Sequence, residues 1–391
     1  MDLRFFLVLM TLVAVLSDYL LHPFYPQFFA LRFGVTDPRM VGYYFAAICF
    51  MVMIAFPCWA YVSRKVPELK ILVWTQAVAG LLALYCTWTS SYLMFWIGSL
   101  TMILFKGSYL LVYPYILKIV SKDQHTNTIG LLSVIVHLGG IIGAVIGGLA
   151  VDFLDPRYVF LIMAMGDFVQ MLMSLYLLKS DQFDTDRVEE TDVQASAHPT
   201  PNSFILKVGL LTLVLYFSDF LIRPFFSSYW ESISIYDSKI VSGTLYAIPG
   251  FVALIGLFVN KKRALGNLYQ GIFSALMLGI IGLWLQSVPI EGVLILGRVI
   301  YGWAIFQGMV RFDVLLFEQS HPDSYAIDYS KIHFFQNLGV LLSSLSVGLV
   351  VDAYGLAMPF FIALGGFIIT VGCYCFLFYL QLKNKKQFAQ S

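Results

Sequence analysis

Apolar runs of span length, separated by short polar stretches, fill this chain of 391 residues. Twelve can be counted, at 5–30, 40–62, 70–89, 92–117, 127–151, 157–178, 204–229, 239–259, 267–287, 291–316, 331–351 and 358–381. A helix crosses the hydrocarbon core with about 20 apolar residues, so the pattern predicts twelve transmembrane helices in an all-α membrane protein. The runs at 92–117 and 291–316 carry internal charges. The first run exceeds the roughly 7–15 apolar residues of a signal peptide and no small-x-small cleavage site follows it, so it reads as the first span. The stretch 179–203 breaks the pattern. It is polar, acidic and proline-containing, and it reads as a flexible linker. It divides the chain into an N-terminal bundle, 1–178, and a C-terminal bundle, 204–391, of six helices each.

The two halves repeat one another. "SDYLLHPFY" begins at Ser17 and "SDFLIRPFF" at Ser218, with five of nine positions identical. "HLGGIIGAVIGGLAVD" (137–152) matches "NLGVLLSSLSVGLVVD" (337–352) with six identities, and "VSRK" (62–65) answers "VNKK" (259–262). An even number of helices per half gives both halves the same orientation, which makes this a parallel repeat about an axis along the membrane normal.

Composition agrees with the pattern: 59% of residues are hydrophobic and 12% charged, where a soluble domain carries roughly 25% charged residues. A net charge of +1 gives no sign of a nucleic-acid partner. The five cysteines (Cys49, Cys58, Cys86, Cys373 and Cys375) lie in apolar runs and form neither a disulfide framework nor a metal set. With the N-terminus inside, sixteen Lys and Arg fall in inside segments, four in outside segments and four within spans. The positive-inside rule then places both termini and the linker in the cytoplasm.

Eight charged side chains fall within the predicted spans: Asp18, Lys106, Asp167, Asp219, Arg223, Arg298, Arg311 and Asp313. Each costs roughly 2.5–3.5 kcal/mol at mid-bilayer, so eight facing lipid would cost on the order of 20–28 kcal/mol. A domain's whole stability is about 5–15 kcal/mol. Most must therefore face an interior, one another or headgroups. Asp18 and His22, like Asp219 and Arg223, are four apart and share a helix face. Pro23 and Pro224 follow directly, and proline frees a carbonyl one turn back and bends the helix. Polar pairs beside bends in the first helix of each half fit gating helices, although Asp219–Arg223 also reads as a self-neutralising structural pair.

Twelve helices, a polar central linker and a parallel six-plus-six repeat resemble the major facilitator superfamily of secondary transporters, over essentially the whole chain. That family carries a G-x-x-x-D-R-x-G-R-R signature after its second helix. Here "CWAYVSRKVPELK" (58–70) fits in position and basicity, through Arg64 and Lys65, but lacks the acidic residue. The fourth-helix arginine–glycine pattern stands in the tenth helix as "GRVIYGWA" (297–304), and the fourth offers "FKGSY" (105–109). "GAVIGG" (143–148) is similar to the exporters' fifth-helix motif, with Ala144 in place of proline; its small residues read as close helix packing.

The resemblance implies a monomeric inner-membrane transporter of bacterial type, working by alternating access on a small-molecule substrate among membrane lipids, with no cofactor. Protons are the expected coupling ion, carried by Asp18 and Asp219. Lysine, arginine and histidine together outnumber carboxylates among the buried groups, which points to an organic anion, with a polycarboxylate or a carboxylate-type siderophore as one candidate. Lys106, Arg223 and Arg298 are the expected clamp for it, with His22, Tyr109, Tyr113 and Gln307 beside them. Pro23, Pro224, Arg64 and Lys65 are the expected conformational residues. Lys106 has no carboxylate at i±3 or i±4 and is the hardest to explain as structure. Two alternatives stand: an exporter of apolar or cationic compounds, and a non-transporting receptor or lipid-handling protein on the same scaffold. The short loops disfavour a receptor. Lone helical histidines (His22, His137, His333) read as packing residues or titrating groups rather than metal ligands, and most aromatics as packing. The absence of P-loop, H-E-x-x-H and G-x-S-x-G motifs argues against an enzyme.

Overall fold

The computed structural model describes residues 3–63, 65–112, 115–116, 125–179, 202–236, 238–262, 266–320 and 325–378. Most of the linker lies outside these residues, as do the sequence-predicted site residues Arg64 and Tyr113. The described residues form fourteen α-helices and no strand. Eleven segments are long and apolar enough to cross a membrane, and Phe6–Tyr19 is a shorter apolar helix. That first helix is prolonged beyond a break by a second, so the rods number twelve. In chain order the helices are α1 (Leu3–Tyr19), α2 (Tyr25–Phe33), α3 (Pro38–Val62), α4 (Glu68–Trp88), α5 (Tyr92–Lys106), α6 (His125–Phe153) and α7 (Tyr158–Lys179). Then follow α8 (Asn202–Leu221), α9 (Phe226–Ile233), α10 (Lys239–Lys262), α11 (Leu268–Ser287), α12 (Glu291–Gln319), α13 (Tyr325–Tyr354) and α14 (Met358–Leu377). A 3₁₀ turn, Gly107–Leu111, continues α5 directly.

Two of the predicted spans are not single helices. The first, 5–30, is interrupted at 20–24 between α1 and α2, and the seventh, 204–229, at 222–225 between α8 and α9. Both interruptions lie in the repeated motif. Pro23 and Pro224 have no N–H to give to the preceding turn, and each pushes the residue before it away from helical geometry. The chain crosses each gap by a tight turn: Phe24 N–H donates to Leu21 O at 2.8 Å, and Arg223 N–H to Phe220 O at 3.1 Å. The helix then resumes, with Phe28 N–H to Phe24 O and Tyr229 N–H to Phe225 O, both at 2.8 Å. Proline alone does not do this, since Pro57 and Pro249 stay inside continuous helices.

Elsewhere helix ends follow local chemistry. Asp37 caps α3, with Pro38 in the first turn; Ser91 caps α5 and Asn267 caps α11. Gly34, at φ 67°, closes α2 in the left-handed conformation.

The chain divides into two compact units, Met1–Val188 with Pro224–Phe251, and Glu189–Arg223 with Val252–Ser391. In the first unit α1 packs on α6 and α7, and α4 on α5 and α7. In the second, α8 packs on α13 and α14, and α11 on α12 and α14. These are the same pairings shifted by one half, so the sequence repeat is also a repeat of packing. Serine and glycine bring the first and sixth helices of each half close together. A Cβ on Gly166 would stand 2.4 Å from Ser17 Oγ, and one on Gly366 would stand 2.0 Å from Ser218 Oγ. The motif serine is thus a spacer, pressed on a glycine of the sixth helix in both halves. In the first unit Tyr25, Phe28, Phe29, Tyr44, Phe95 and Phe160 pack ring against ring, which accounts for many of the aromatics as core. Large apolar side chains such as Trp74, Phe258 and Phe376 stand exposed, the surface expected of a chain solvated by lipid.

Candidate functional site

The motif in the first unit builds a charge cluster around Lys106. Asp18 is the penultimate residue of α1, just before the interruption. Lys106 is the last residue of α5 and is buried. Its ammonium Nζ lies 3.1 Å from Asp18 Oδ1 and 3.4 Å from Asp167 Oδ1, on α7. Two carboxylates therefore share one cation. They differ in surroundings: the Asp18 side chain is 35% exposed, that of Asp167 not at all. Tyr109, on the 3₁₀ turn, lies in electrostatic reach of Asp18. Among the described residues Lys106 has no ionic partner along its own helix; its partners come from α1 and α7.

His22 sits inside the first interruption. Its Nδ1 is 2.9 Å from Tyr246 Oη on α10, and its ring stacks on Tyr19 and meets the edge of Phe45. Pro23 lies next to it in the gap, and Pro224 lies in the other. Lys65 is exposed in the loop before α4.

In the second unit the corresponding aspartate, Asp219, is buried and takes its cation from within the motif. Arg223 Nη2 donates to Asp219 Oδ2, and Tyr301 Oη on α12 donates to Asp219 Oδ1 at 2.6 Å. The Arg223 side chain is 31% exposed. Arg298 is buried one turn before Tyr301, and its Nη1 is 3.4 Å from Gln286 Oε1. It is therefore held inside rather than reaching toward headgroups. Gln307 belongs to a separate group, where its Nε2 donates to Asn260 Oδ1 at 3.0 Å and its own oxygens accept from Arg311.

Sequence reasoning thus found the pair Asp219–Arg223. It set Asp18 beside His22 on one helix face and Lys106 in an anion clamp; the structure ends α1 at Tyr19, turns His22 to Tyr246 and brings Lys106 to Asp18 instead. It left Asp167, Tyr301 and Tyr246 out of the site. Asp167 had a signal: a buried lysine without a local acid requires a distant one, and Asp167 is among the charges within spans. The tyrosines had none, because nothing in a sequence marks which of 23 tyrosines meets a given polar group.

A polar network lies where α6 ends and α10 begins, in the first unit. Asp152, near the end of α6, accepts from Ser238 Oγ, Lys239 N–H and Ile240 N–H at 2.9–3.0 Å, and so caps α10 from another helix. Glu231 on α9 accepts from Gln27 and Ser227, and lies 3.7 Å from Lys239 Nζ.

A sequence model of the Major Facilitator Superfamily matches residues 7–324. The chain belongs to that superfamily. No curated protein sequence matches it. Among solved structures it is similar to the D323A mutant of the nucleoside transporter NupG, at 13% identity and TM-score 0.75, covering 96% of this chain and 100% of that one. It is also similar to a bacterial homologue of the human lysosomal transporter Spinster in an inward-facing, occupied conformation, at 13% identity and TM-score 0.74, covering 97% and 96%. A third is the human organic anion transporter MFSD10, at 14% identity and TM-score 0.69, covering 95% and 98%. At such identities the likeness is one of fold. Membership in the superfamily makes the chain an integral membrane transporter of a small molecule, not an enzyme.

Proposed function

We propose that the chain is a proton-coupled secondary transporter that moves a small organic anion across the membrane by alternating access. One observation carries the reading: in each half the motif aspartate lies beside a break in the first helix, held against a cation. A carboxylate at a point where backbone geometry changes links its charge to helix position. Protonation removes the attraction to the cation, and the energy of that pair becomes available to the conformational step. Arg223 is the proposed anion contact. It is partly exposed, its planar fork suits a carboxylate, and Arg298 adds positive charge on α12. The organic anion transporter among its structural neighbours fits this substrate class.

The moving parts are the bundles 1–178 and 204–391, joined by the linker, in a monomer of the bacterial inner membrane with both termini cytoplasmic. Sixteen basic residues on the inside against four outside support that orientation. Cytoplasmic reporters fused after Gln194 and Gln387 are expected to be active, and one near Thr36 inactive; the reverse pattern overturns the topology.

Purified protein in proteoliposomes with a trapped pH dye tests the transport. Added hydroxy-polycarboxylate of the citrate type, free or as a ferric carboxylate siderophore, is expected to accumulate only with a pH gradient and to acidify the lumen. Asp18→Asn or Asp219→Asn should abolish accumulation while exchange persists. Accumulation indifferent to the gradient in the wild type overturns the coupling, and normal accumulation in both variants makes the aspartates structural. A second reading, export of lipophilic cations, has its own support in the excess of acid over base around Lys106. A tetraphenylphosphonium arm in the same vesicles separates the two.

A further inference from the structure

We propose that the proton in this transporter is stored on Asp167 of α7, with Lys106 handing it over and the more exposed Asp18 as its port. The inference deepens the proton-coupled reading above and rests on it.

The argument is one of charge and hydrogen bonding. Asp18, Lys106 and Asp167 carry two acids and one base, so with every group ionised the cluster holds one uncompensated negative charge. The two acids are unequally placed. Asp18 is the nearer to the ammonium, at 3.1 Å, and over a third exposed. Asp167 is fully buried, and its one cationic partner among the described residues, the Lys106 ammonium at 3.4 Å from Oδ1, is shared with the nearer Asp18. Buried carboxylates are normally hydrogen-bonded or closely paired, because leaving the charge bare in an apolar setting is costly. A proton on Asp167 removes that cost and leaves Asp18 and Lys106 as a balanced pair.

Among the described residues the neighbours offer no competing charge. The charged groups facing Asp167 are Lys106 and Asp18. On α4, which packs along α7, the buried side chains near Lys106 are Gln76 and Thr75, neither of which titrates. On α7 itself, Gln170 stands one turn on, buried and with both amide atoms unpartnered. Tyr109 and Tyr25 lie in reach of Asp18 and Lys106. The transfer balances: an N–H bond of Lys106 breaks as an O–H bond forms at Asp167 Oδ1, and Lys106 regains a proton from Asp18, which has taken it from its exposed side. The lysine ends as it began, an ammonium.

Infrared difference spectroscopy of the full-length protein in lipid, titrated from alkaline to acid pH, reads this without any substrate. A protonated carboxylic acid gives a carbonyl stretching band well separated from ionised carboxylates. The wild type should show a band at the high-frequency position of a weakly hydrogen-bonded acid. Asp167→Glu should move that band and Asp18→Glu should leave it in place, since both keep the charge count and only one changes the group bearing the proton. Asp167→Asn should abolish it, and Asp18→Asn should push its appearance to lower pH, because the remaining acid then pairs with Lys106 alone. A band moved by Asp18→Glu and not by Asp167→Glu would place the proton on Asp18, and absence of a band from the wild type would remove the stored proton altogether. The band and the coupling can fail separately. The expected band without gradient-driven uptake overturns only the coupled transport, and coupled uptake with the band on Asp18 overturns only the role of Asp167.

Discussion

The two helix interruptions are built from nearly the same nine residues and are wired differently. At 20–24 the aspartate reaches outward, to a lysine on α5 that also serves a second acid on α7. At 222–225 it is answered from within the motif by Arg223, and a tyrosine on α12 completes it. Position 22, histidine in one copy and arginine at 223 in the other, makes the difference. With arginine there, the carboxylate is neutralised four residues away, and α12 adds a tyrosine hydroxyl rather than a cation. With histidine there, the side chain turns to Tyr246 and the aspartate must recruit its cation from elsewhere. One half thus holds two acids on one cation, to which the proposed function gives the proton, and the other an acid–arginine pair, to which it gives the solute.

That contrast can be broken. Lys106→Gln should be the most damaging charge change, because it leaves two carboxylates without their cation; a loss of about 3–5 kcal/mol is expected of a broken buried pair. Thermal unfolding of the detergent-purified protein would measure it, and the loss should shrink at acid pH as the acids protonate. A loss independent of pH would mean that the lysine matters for packing alone. Gly166→Ala and Gly366→Ala come next, at about 1–3 kcal/mol each from overpacking. They should be alike, since each drives a methyl group into a motif serine, and Ser17→Ala or Ser218→Ala should recover part of the loss. Unequal costs without recovery would show that the serine–glycine contact is not shared by the halves. Arg223→Gln should cost less than Lys106→Gln, about 1–2 kcal/mol, between exposed and buried pairs, because Tyr301 still donates to Asp219. A cost equal to that of Lys106→Gln would erase the proposed asymmetry. The smallest change, Asp152→Ala, should cost about 1 kcal/mol, as for a lost helix cap, with Asp152→Asn milder because the amide oxygen still accepts.

Much of this was legible in the sequence. Length and apolarity gave the twelve rods, and the repeated Ser-Asp motif marked the two places where charge meets an irregular backbone. What the sequence hid is long-range. The rule that helical neighbours stand three or four apart found Asp219–Arg223, but it is blind to Lys106–Asp167, which are 61 positions apart and meet only after α5 and α7 have folded. It also took the prolines for bends. Pro57 and Pro249 do sit within unbroken helices, whereas Pro23 and Pro224 stand in full breaks, and the residue type does not distinguish the two outcomes.

The 3₁₀ turn after Lys106 has a consequence for the phase of the fourth span. Five residues at three per turn rotate about 100° further than the same five at 3.6 per turn, and advance about 2.5 Å more along the axis. Val112, directly after the turn, therefore faces a direction more than a quarter-turn away from the one that an unbroken helix through Lys106 would give it. Any stripe of polar or apolar positions traced at constant pitch through 92–112 changes sides across Gly107–Leu111, and what begins as one face of this helix continues as another.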